Sequence, residues 1–474
     1  MSDPCDLTAT EARRLIGLAQ LGAVELLESC IQRIKSVNPA VNAVVALDPE
    51  RAHDAAKAAD ESLANRAPLG PLHGLPIGIK DLNETRGLRT TFGSPLYAEH
   101  VPEADEGLVA RLRNAGGIIA AKTNTPEFGA GSNTDNAVYG KTRNPFDLDR
   151  TSGGSSGGAA AALATGMLPL CHGSDSGGSL RAPAVWCGVT AIRPTPGLVP
   201  SERRTLPLTA FSVQGPMART VSDLALFLQP LAEFDARDPL AYPRAPIRLP
   251  QSVDLSRLRV RYSVDLGVAP VDNGIRQVFA DRIEAIGHLF AECEPANPDM
   301  HDAREVFWGL RGLQFVASHA TRWQNHREQL GANVRSNTEA GLAMSVETIA
   351  NAERGWNQLF QRFATFMEPI DLLLCPGNAI PPFPVETGIP REINGVALEN
   401  YMDTSLVRSA LTLTMHPVVA LPCGTDHTGT PFGFQMLGHR FADQALLDIA
   451  HSLELALAGE SALSRPVPDL KSLL

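Results

Sequence analysis

The sequence predicts an α/β protein, a single large domain in which helices cover both faces of a mostly parallel sheet. Short apolar runs alternate with helix-period segments along most of the 474 residues, a pattern typical of sheets that are buried on both faces. The apolar content of 44% and the charged content of 20% are ordinary for a globular protein. Because no repeat and no long linker divides the chain, residues 1–474 are predicted to form one domain.

Strands are predicted where short apolar or β-branched runs lie between turn residues. The segment 74–81, "GLPIGIKD", is such a run and ends in charge, and 43–47, "AVVAL", is another. In chain order the predicted strands are 43–47, 74–81, 118–122, 188–194, 258–264, 371–376, 416–422 and 431–438.

Helices are predicted from caps and from apolar residues that recur every three or four positions. Thr8 and Glu11 form a capping box that opens the first helix, and Thr220 or Ser222 caps a later one. After the first, the predicted helices cover 24–34, 50–64 (Ala-rich), 105–117 (with a glycine stop), 220–232, 272–292, most of 302–369, and 442–458. The helical span 272–369 is predicted to form a cap over the sheet.

Composition and charge exclude several classes of function. The formal net charge of −11 argues against a protein that binds nucleic acid or a membrane surface. Seven cysteines, an odd number without a C-x-x-C pair, argue against a disulfide framework or a zinc site. The N-terminus lacks the features of a signal peptide, and no apolar run of 18 residues is present. We therefore expect a cytoplasmic protein that needs no metal.

Two glycine-serine clusters flank an apolar stretch in "TSGGSSGGAAAALATGMLPLCHGSDSGGSLRAP", residues 151–183. Because the intervening "AAAALATGMLPLC" is helix-like and then strand-like, the clusters are predicted to be loops inside the core rather than linkers. Glycines in the second cluster let consecutive backbone N–H groups point the same way, and such a nest can hold a developing oxyanion. The amides concerned are those of Ser176, Gly177, Gly178 and Ser179.

A lysine could supply the base that such a site needs. Lys80 ends the apolar run of "GLPIGIKD", and burial there would lower its pKa until it accepts a proton near neutral pH. Ser155, in the first cluster, could relay a proton between Lys80 and Ser179, and its neighbouring glycines allow a distorted or cis peptide. These residues favour acyl transfer from an amide, with Ser179 as the nucleophile.

Five motifs stand in the order and spacing of a known family: "GLPIGIKD", "AKTNTPEFGAGSNTDN", "SGGSSGGAAAALATG", "GSDSGGSLRAPAVWCGV" and "PLTAFSVQGPMARTVSDLA". They resemble the amidase signature family of serine hydrolases, most clearly over residues 70–230. The resemblance implies that Ser179 is the nucleophile, Ser155 the bridging serine of a cis peptide and Lys80 the base. It also implies an oxyanion hole at 176–179, a single α/β/α domain with a large mixed, mostly parallel sheet, and no metal or organic cofactor.

The resulting prediction is hydrolysis of an acyl–nitrogen bond through an acyl-enzyme. The substrate would be a small carboxylic amide, anilide or hydrazide, with uncharged aryl or alkyl acyl groups favoured, and the chain could form a homodimer. The variable, largely helical region 270–390 is expected to shape the pocket.

Other residues near the motifs are candidates for binding or support. Asp175 and Arg181 flank the nucleophile and are predicted to form an ion pair that shapes its loop. Candidates for substrate contact are Gly129, Ser132, Asn133 and Trp186, and Phe128 and Phe211 could line an acyl pocket with Trp186.

Three alternatives remain open. "GGSSG", 153–157, matches the nucleophile elbow of an α/β-hydrolase esterase with Ser155 as nucleophile, although the residues before it are polar rather than a buried strand. Its base would be one of His416, His427, His439 and His451. A glutamine-dependent amidotransferase subunit would share the family motifs, but Ala182 stands where those subunits usually have glutamine. A binding module that has lost its chemistry would keep the fold.

Overall fold

Eleven strands form one mixed sheet in the computed structural model, which describes residues 3–474. In chain order the strands of this range are β1 (Val44–Leu47), β2 (Pro76–Lys80), β3 (Ile118–Thr123), β4 (Arg143–Asn144), β5 (Asp147–Thr151), β6 (Leu170–Asp175), β7 (Thr190–Arg193), β8 (Val213–Ala218), β9 (Arg259–Tyr262), β10 (Glu292–Pro295), β11 (Leu372–Pro376), β12 (Glu392–Ile393), β13 (Val396–Ala397), β14 (Val418–Thr425) and β15 (Pro431–Leu437).

The helices of the same range surround this sheet. The α-helices are α1 (Ala9–Gly17), α2 (Ala23–Val41), α3 (Pro49–Ala64), α4 (Gly107–Asn114), α5 (Gly157–Ala164), α6 (Arg181–Trp186), α7 (Val221–Leu231), α8 (Asn273–Ile286), α9 (Ala303–His326), α10 (Ala332–Ala343), α11 (Val346–Met367), α12 (Leu406–Leu413) and α13 (Asp443–Ala458). Short 3-10 helices occupy Pro4–Asp6, Pro95–Tyr97, Glu127–Gly129, Leu255–Arg257, Gly287–Leu289, Arg327–Gln329, Asp403–Ser405 and Leu470–Leu473.

The strand order across the large sheet is β1-β3-β2-β6-β8-β7-β14-β15-β11-β9-β10. Parallel pairs occur in two blocks, β3-β2-β6 and β11-β9-β10, and the pairs between these blocks are antiparallel, as is β1–β3. The predicted large mixed sheet of an α/β fold is confirmed. Its centre is more antiparallel than the alternation of strands and helices suggests; β14 and β15, for example, are joined by the short turn 426–430 and therefore run in opposite directions.

Helices pack on both faces of the sheet, as predicted. Consecutive strand residues divide between two hydrophobic clusters: Leu170 and Ile192 lie in one, and their neighbours Cys171 and Ala191 lie in the other. This division follows from the alternation of side chains along a strand. Helices α7, α11 and α13 pack in the first cluster, and α3 and α5 pack in the second.

Most predicted elements are confirmed, with boundaries that differ by a few residues. Thr8 caps α1, since its Oγ1 accepts the Glu11 N–H at 3.2 Å, and Thr220 rather than Ser222 caps α7. The helical span 302–369 consists of three helices, α9 to α11, because new helices begin after Gly331 and Ser345.

Several elements were not anticipated, and each carries a weak local signal. Strand β8 contains Gly215 and Pro216, and β10 is a short, mostly exposed strand at the sheet edge. Helix α6 has six residues and contains Pro183, and α12 begins without a side-chain cap. Among residues 3–474, no helix combines the length and apolarity needed to cross a bilayer.

Candidate active site

Lys80 is the last residue of β2, and its amine lies inside the protein among serine hydroxyls. All five residues of this strand are buried, and the Lys80 side chain is 0% exposed. Its Nζ lies 2.7 Å from Ser155 Oγ, 2.9 Å from Ser156 Oγ and 3.1 Å from Ser174 Oγ. The predicted juxtaposition of Lys80 and Ser155 is therefore present in the fold, with two further hydroxyls that sequence reasoning did not assign to it.

Burial decides the protonation of this amine. Removal from water lowers the pKa of Lys80 from 10.5 to about 7, although the negative charge of Asp175 opposes this shift. Near neutral pH a large fraction of Lys80 is therefore uncharged, and an uncharged amine can accept a proton from a neighbouring hydroxyl.

Ser155 lies on the loop between β5 and α5, and its peptide bond with Gly154 is cis. A cis peptide at this position agrees with the expectation from the neighbouring glycines and from the resemblance to the amidase signature family. A side chain at Gly154 would place its Cβ 2.7 Å from the Gly131 carbonyl oxygen, so only glycine fits this close approach of two loops. Local backbone packing thus holds Ser155 in contact with Lys80.

Ser179 lies on the loop that follows β6, at the end of the parallel block of the sheet. The Ser156 N–H donates to the Ser179 carbonyl oxygen at 3.2 Å, which ties this loop to the loop of Ser155. Ser155 and Ser179 line the same cavity, which has a volume of about 160 Å³. Carboxyl ends of parallel strands are where α/β sheets commonly place their sites.

The backbone amides of the Ser179 loop differ in what they contact. The Gly178 N–H donates to Asp175 Oδ1 at 3.0 Å. Within residues 3–474, the amides of Ser176, Gly177 and Ser179 donate to no protein acceptor. Three of the four amides predicted to hold an oxyanion are therefore open to a ligand, and Ser176, Gly177 and Ser179 all line the cavity.

The predicted ion pair between Asp175 and Arg181 is present and fully buried, at 2.9 Å. Arg193 is a third member that the sequence did not indicate, at 3.4 Å from Asp175. Burial would raise the pKa of the Asp175 carboxyl, but the two guanidinium groups hold it well below its usual range. The remaining Arg181 donors bind the Arg408 carbonyl oxygen, Gln435 Oε1 and Thr412 Oγ1.

Replacing Arg181 with methionine is expected to lower the free energy of unfolding by about 3–5 kcal/mol, because it removes one partner of a buried ion pair and leaves several acceptors unpaired. Denaturant unfolding measures this loss. Arg14→Met is the matched control, since Arg14 forms an exposed ion pair with Glu11 at 2.8 Å and should contribute little. Equal losses in the two variants would contradict a special role for Arg181.

Some of the residues predicted to contact substrate line the cavity, and others do not. Gly129, Ser132 and Phe128 line it. Asn133 lines a neighbouring cavity instead, and its Oδ1 accepts a hydrogen bond from Thr151 at 2.6 Å. Phe211 packs against Phe307 with 4.9 Å between ring centroids and a tilt of 39° between the rings, and it does not line the cavity.

Trp186 as a substrate contact is corrected by the structure. Its ring packs edge-on against Phe383, and its Nε1 donates to the Ile380 carbonyl oxygen at 3.2 Å. The side chain is 2% exposed and belongs to a separate apolar cluster, so it supports the loop around 380 rather than the cavity.

Two distant segments complete the cavity, and sequence reasoning did not find them. One is a face of α9, within the predicted cap, and the other is the segment 401–408, which includes the first turn of α12. Their lining residues are Arg311, Gln314, Phe315, Ser318 and His319 from α9, and Tyr401, Met402, Ser405 and Arg408 from the second segment. The only sequence signal for the first set is the three- and four-residue spacing that puts its members on one face of a helix.

The histidines proposed for an esterase lie elsewhere. Of the described residues that line the cavity, His319 is the one histidine, and none of His416, His427, His439 and His451 is among them. Burial, with a smaller effect of nearby arginines, lowers the pKa of His319 to about 4. The strand before Ser155, β5, is partly exposed, unlike the buried strand of a nucleophile elbow.

Comparison with known proteins agrees with this geometry. A family model described as Amidase matches residues 25–447. The acylamidase of Rhodococcus erythropolis is 34% identical over 453 aligned residues, which cover 94% of this chain and 95% of that protein. A glutamyl-tRNA(Gln) amidotransferase subunit from Chloroflexus aurantiacus is 32% identical, with 96% of this chain and 97% of that protein covered.

A solved structure described as a bacterial aryl acylamidase of the amidase signature family is also similar. It superposes with a TM-score of 0.87 at 27% identity, over 95% of this chain and 96% of that one. Matches of this extent span the sheet, the serine loops and the cavity-lining helix together. The chain therefore belongs to the amidase signature family and is an amidase, an enzyme that hydrolyses amide bonds.

Proposed function

We propose that the chain hydrolyses small carboxylic amides, anilides or hydrazides through an acyl-enzyme on Ser179, with Ser155 and Lys80 as its proton relay. The observation that carries this proposal is a fully buried amine, with a pKa of about 7, lying 2.7 Å from a hydroxyl that shares a cavity with Ser179. Such an amine is a base matched to neutral pH.

The first half of the reaction forms the acyl-enzyme. Ser155 transfers its hydroxyl proton to Lys80 and takes the proton of Ser179 as Ser179 Oγ bonds to the carbonyl carbon. The carbon–nitrogen bond then breaks, and Ser155 gives its proton to the leaving nitrogen while Lys80 returns a proton to Ser155. Amine leaves and the acyl group remains on Ser179 Oγ.

The second half repeats the relay with water. A water proton passes through Ser155 to Lys80 as the water oxygen bonds to the acyl carbon, and Ser179 Oγ leaves with a returned proton. We assign the backbone N–H groups of Ser176, Gly177 and Ser179 as the donors that stabilise the negative charge on the carbonyl oxygen. An N–H that already donates to a carboxylate is a poor donor to a second oxygen, so Gly178 is expected to shape this loop through its contact with Asp175.

The alternatives have less support. Among the described residues lining the cavity, His319 is the histidine available as a base, and its low pKa makes it a weak one. Amidotransferase subunits are relatives of this chain, yet Ala182 and "TNTPEFG" depart from their usual motifs. We therefore infer an amidase that acts without a second type of subunit, on substrates like those of the acylamidases.

A serine-reactive fluorophosphonate tests the nucleophile directly. We expect one adduct per chain, mapped by mass spectrometry to Ser179, and faster labelling as pH rises through about 7 because Lys80 loses its proton there. The same preparation should release amine from a panel of acyl amides, anilides and hydrazides. An adduct on Ser155 would favour the esterase alternative, and absence of both labelling and turnover would contradict the proposal.

A further inference from the structure

The cavity of Ser179 carries positive charge without a lining carboxylate. Its charged side chains are Arg311 and Arg408, while the low pKa of His319 leaves that ring neutral near pH 7. Within the described part of the chain, no Asp or Glu lines this cavity. Asp175 lies nearby, but Arg181 and Arg193 already pair with it. The two lining guanidinium groups are therefore not neutralised by the protein.

Arg311 has the donors that a ligand could use. It is 8% exposed, its Nε donates to Asn337 Oδ1 at 2.6 Å, and one terminal nitrogen, Nη2, donates to the Tyr401 hydroxyl oxygen at 2.5 Å. The other terminal nitrogen, Nη1, donates to no acceptor within residues 3–474. The guanidinium also lies over the Phe315 ring, 4.6 Å from its centroid, which fixes its plane.

Tyr401 offers a second donor beside this one. Its hydroxyl oxygen accepts from Arg311 Nη2 and from Asn337 Nδ2, at 3.0 Å for the latter. Both of these contacts use the oxygen as an acceptor, and in the described chain no acceptor receives the hydroxyl proton. An Arg N–H and a Tyr O–H, held together by Asn337 and both without acceptors, match the two oxygens of a carboxylate.

Arg304, on the same helix, α9, gives a contrast between a paired arginine and Arg311. It pairs with Asp403 and Glu399 at 2.9 Å and 2.8 Å. Arg311 has no carboxylate within 4.0 Å in the described chain, although it is more buried than Arg304. Burying an unpaired guanidinium is unfavourable unless an anion completes the site.

We propose that Arg311 and Tyr401 bind a carboxylate carried by the amide substrate. This inference rests on the proposed function, since it names the substrate class of the same cavity. The cavity has a volume of about 160 Å³, and the carboxylate can belong either to the acyl chain or to the leaving amine. A carboxylate on the acyl chain would depart from the sequence-based preference for uncharged acyl groups, whereas a carboxylate on the leaving amine would be compatible with it.

Two pairs of amide substrates distinguish a carboxylate on the acyl chain from one on the leaving amine. In the first pair the acyl chain differs: succinyl 4-nitroanilide carries a carboxylate, and pentanoyl 4-nitroanilide does not. In the second pair the leaving amine differs: 4-acetamidobenzoate is compared with 4-methylacetanilide. We expect kcat/KM to be about 10- to 100-fold higher for the carboxylate member of at least one pair, because hydrogen bonds to a charged group contribute that much.

Substitutions test which residues produce the preference for the carboxylate substrate. Arg311→Met should lower kcat/KM much more for the carboxylate member than for the neutral member and so remove the preference, Arg311→Lys should retain part of it, and Tyr401→Phe should reduce it. Arg335→Met is the matched control, because Arg335 lies on the neighbouring helix α10, pairs loosely with Glu328 at 3.8 Å and does not line the cavity. It should leave the preference intact.

The outcomes distinguish this inference from the proposed function. Equal kcat/KM values within both wild-type pairs, an unchanged preference in Arg311→Met, or an equal loss on both members in that variant would each overturn the carboxylate site. Fluorophosphonate labelling of Ser179 is measured in the same preparations. A labelled enzyme without carboxylate preference overturns this inference alone, whereas an unlabelled and inactive chain overturns both.

Discussion

Replacing Ser179 with alanine is expected to lower kcat on an amide substrate by about 10⁴-fold or more, because removal of the nucleophile ends acyl-enzyme formation. The variant should also resist fluorophosphonate, since no other described hydroxyl in the cavity is assigned as a nucleophile. Ser155 remains next to Lys80 in this variant. The variant therefore also tests whether Ser155 can react in place of Ser179. Turnover and labelling are measured on the same purified protein.

Ser212→Ala is the matched control for this change. Ser212 also lines the cavity, and no catalytic role is assigned to it. We expect its turnover to stay within about tenfold of the wild type, a range that small shifts in substrate position produce. Retained hydrolysis or retained labelling in Ser179→Ala would remove Ser179 from its role and would point to Ser155.

The grouping of Lys80, Ser155 and Ser179 at one site could be anticipated from sequence because local features mark each member. Lys80 stands at the charged end of an apolar strand, and Ser155 and Ser179 stand among glycines that permit close backbone approach. The alternation of strands and helices similarly indicated a large sheet with helices on both faces. Strand partners and direction at the sheet centre depend on long-range pairing, for which local patterns carry no information.

The substrate end of the cavity could not be anticipated in the same way. Arg311 and Tyr401 carry no motif and are far apart in the chain, and their hydrogen bond forms only when α9 packs beside the segment before α12. Trp186 illustrates the opposite error, because its position beside the nucleophile loop in sequence suggested a substrate contact, yet its ring faces a separate cluster. Closeness to the glycine-serine motifs in the sequence thus predicted the residues around Lys80 better than the residues at the other end of the cavity.

The second large effect is expected at Lys80. Because its pKa is lowered to about 7, Lys80 is protonated below that pH and cannot accept a proton, so kcat/KM should rise about tenfold per pH unit up to about 7 and then level off. Lys80→Met should lose several orders of magnitude and should show no inflection at that pH. Initial rates from pH 5.5 to 9.5 on one anilide measure both properties.

The size of the Lys80→Met defect should itself depend on pH. Hydroxide can take the serine proton in the variant, and its concentration rises tenfold per pH unit, while wild-type turnover is already constant above about pH 7. The ratio of wild-type to variant rates should therefore stay constant below about pH 7, where both rates rise together, and fall at higher pH. A ratio that stays constant up to pH 9.5 would contradict the role of Lys80 as the base.

Equilibrium unfolding provides a second measure of the same pKa, independent of substrate. Between the folded value of about 7 and the unfolded value of 10.5, the unfolded chain binds one more proton at Lys80 than the folded chain does. The free energy of unfolding should therefore rise with pH in this window by about 1.4 kcal/mol per unit from this residue. Below the window both states are protonated, and above it neither is.

Lys80→Met should lack that contribution while keeping those of other groups. Lys122, buried with a pKa of about 8, titrates in the same range in both proteins, so the difference between the two pH slopes isolates Lys80. Equal slopes would mean that the amine at position 80 keeps its charge in the folded protein. An inflection in the rate near pH 7 would then belong to a different group, and the proton relay would lose its base.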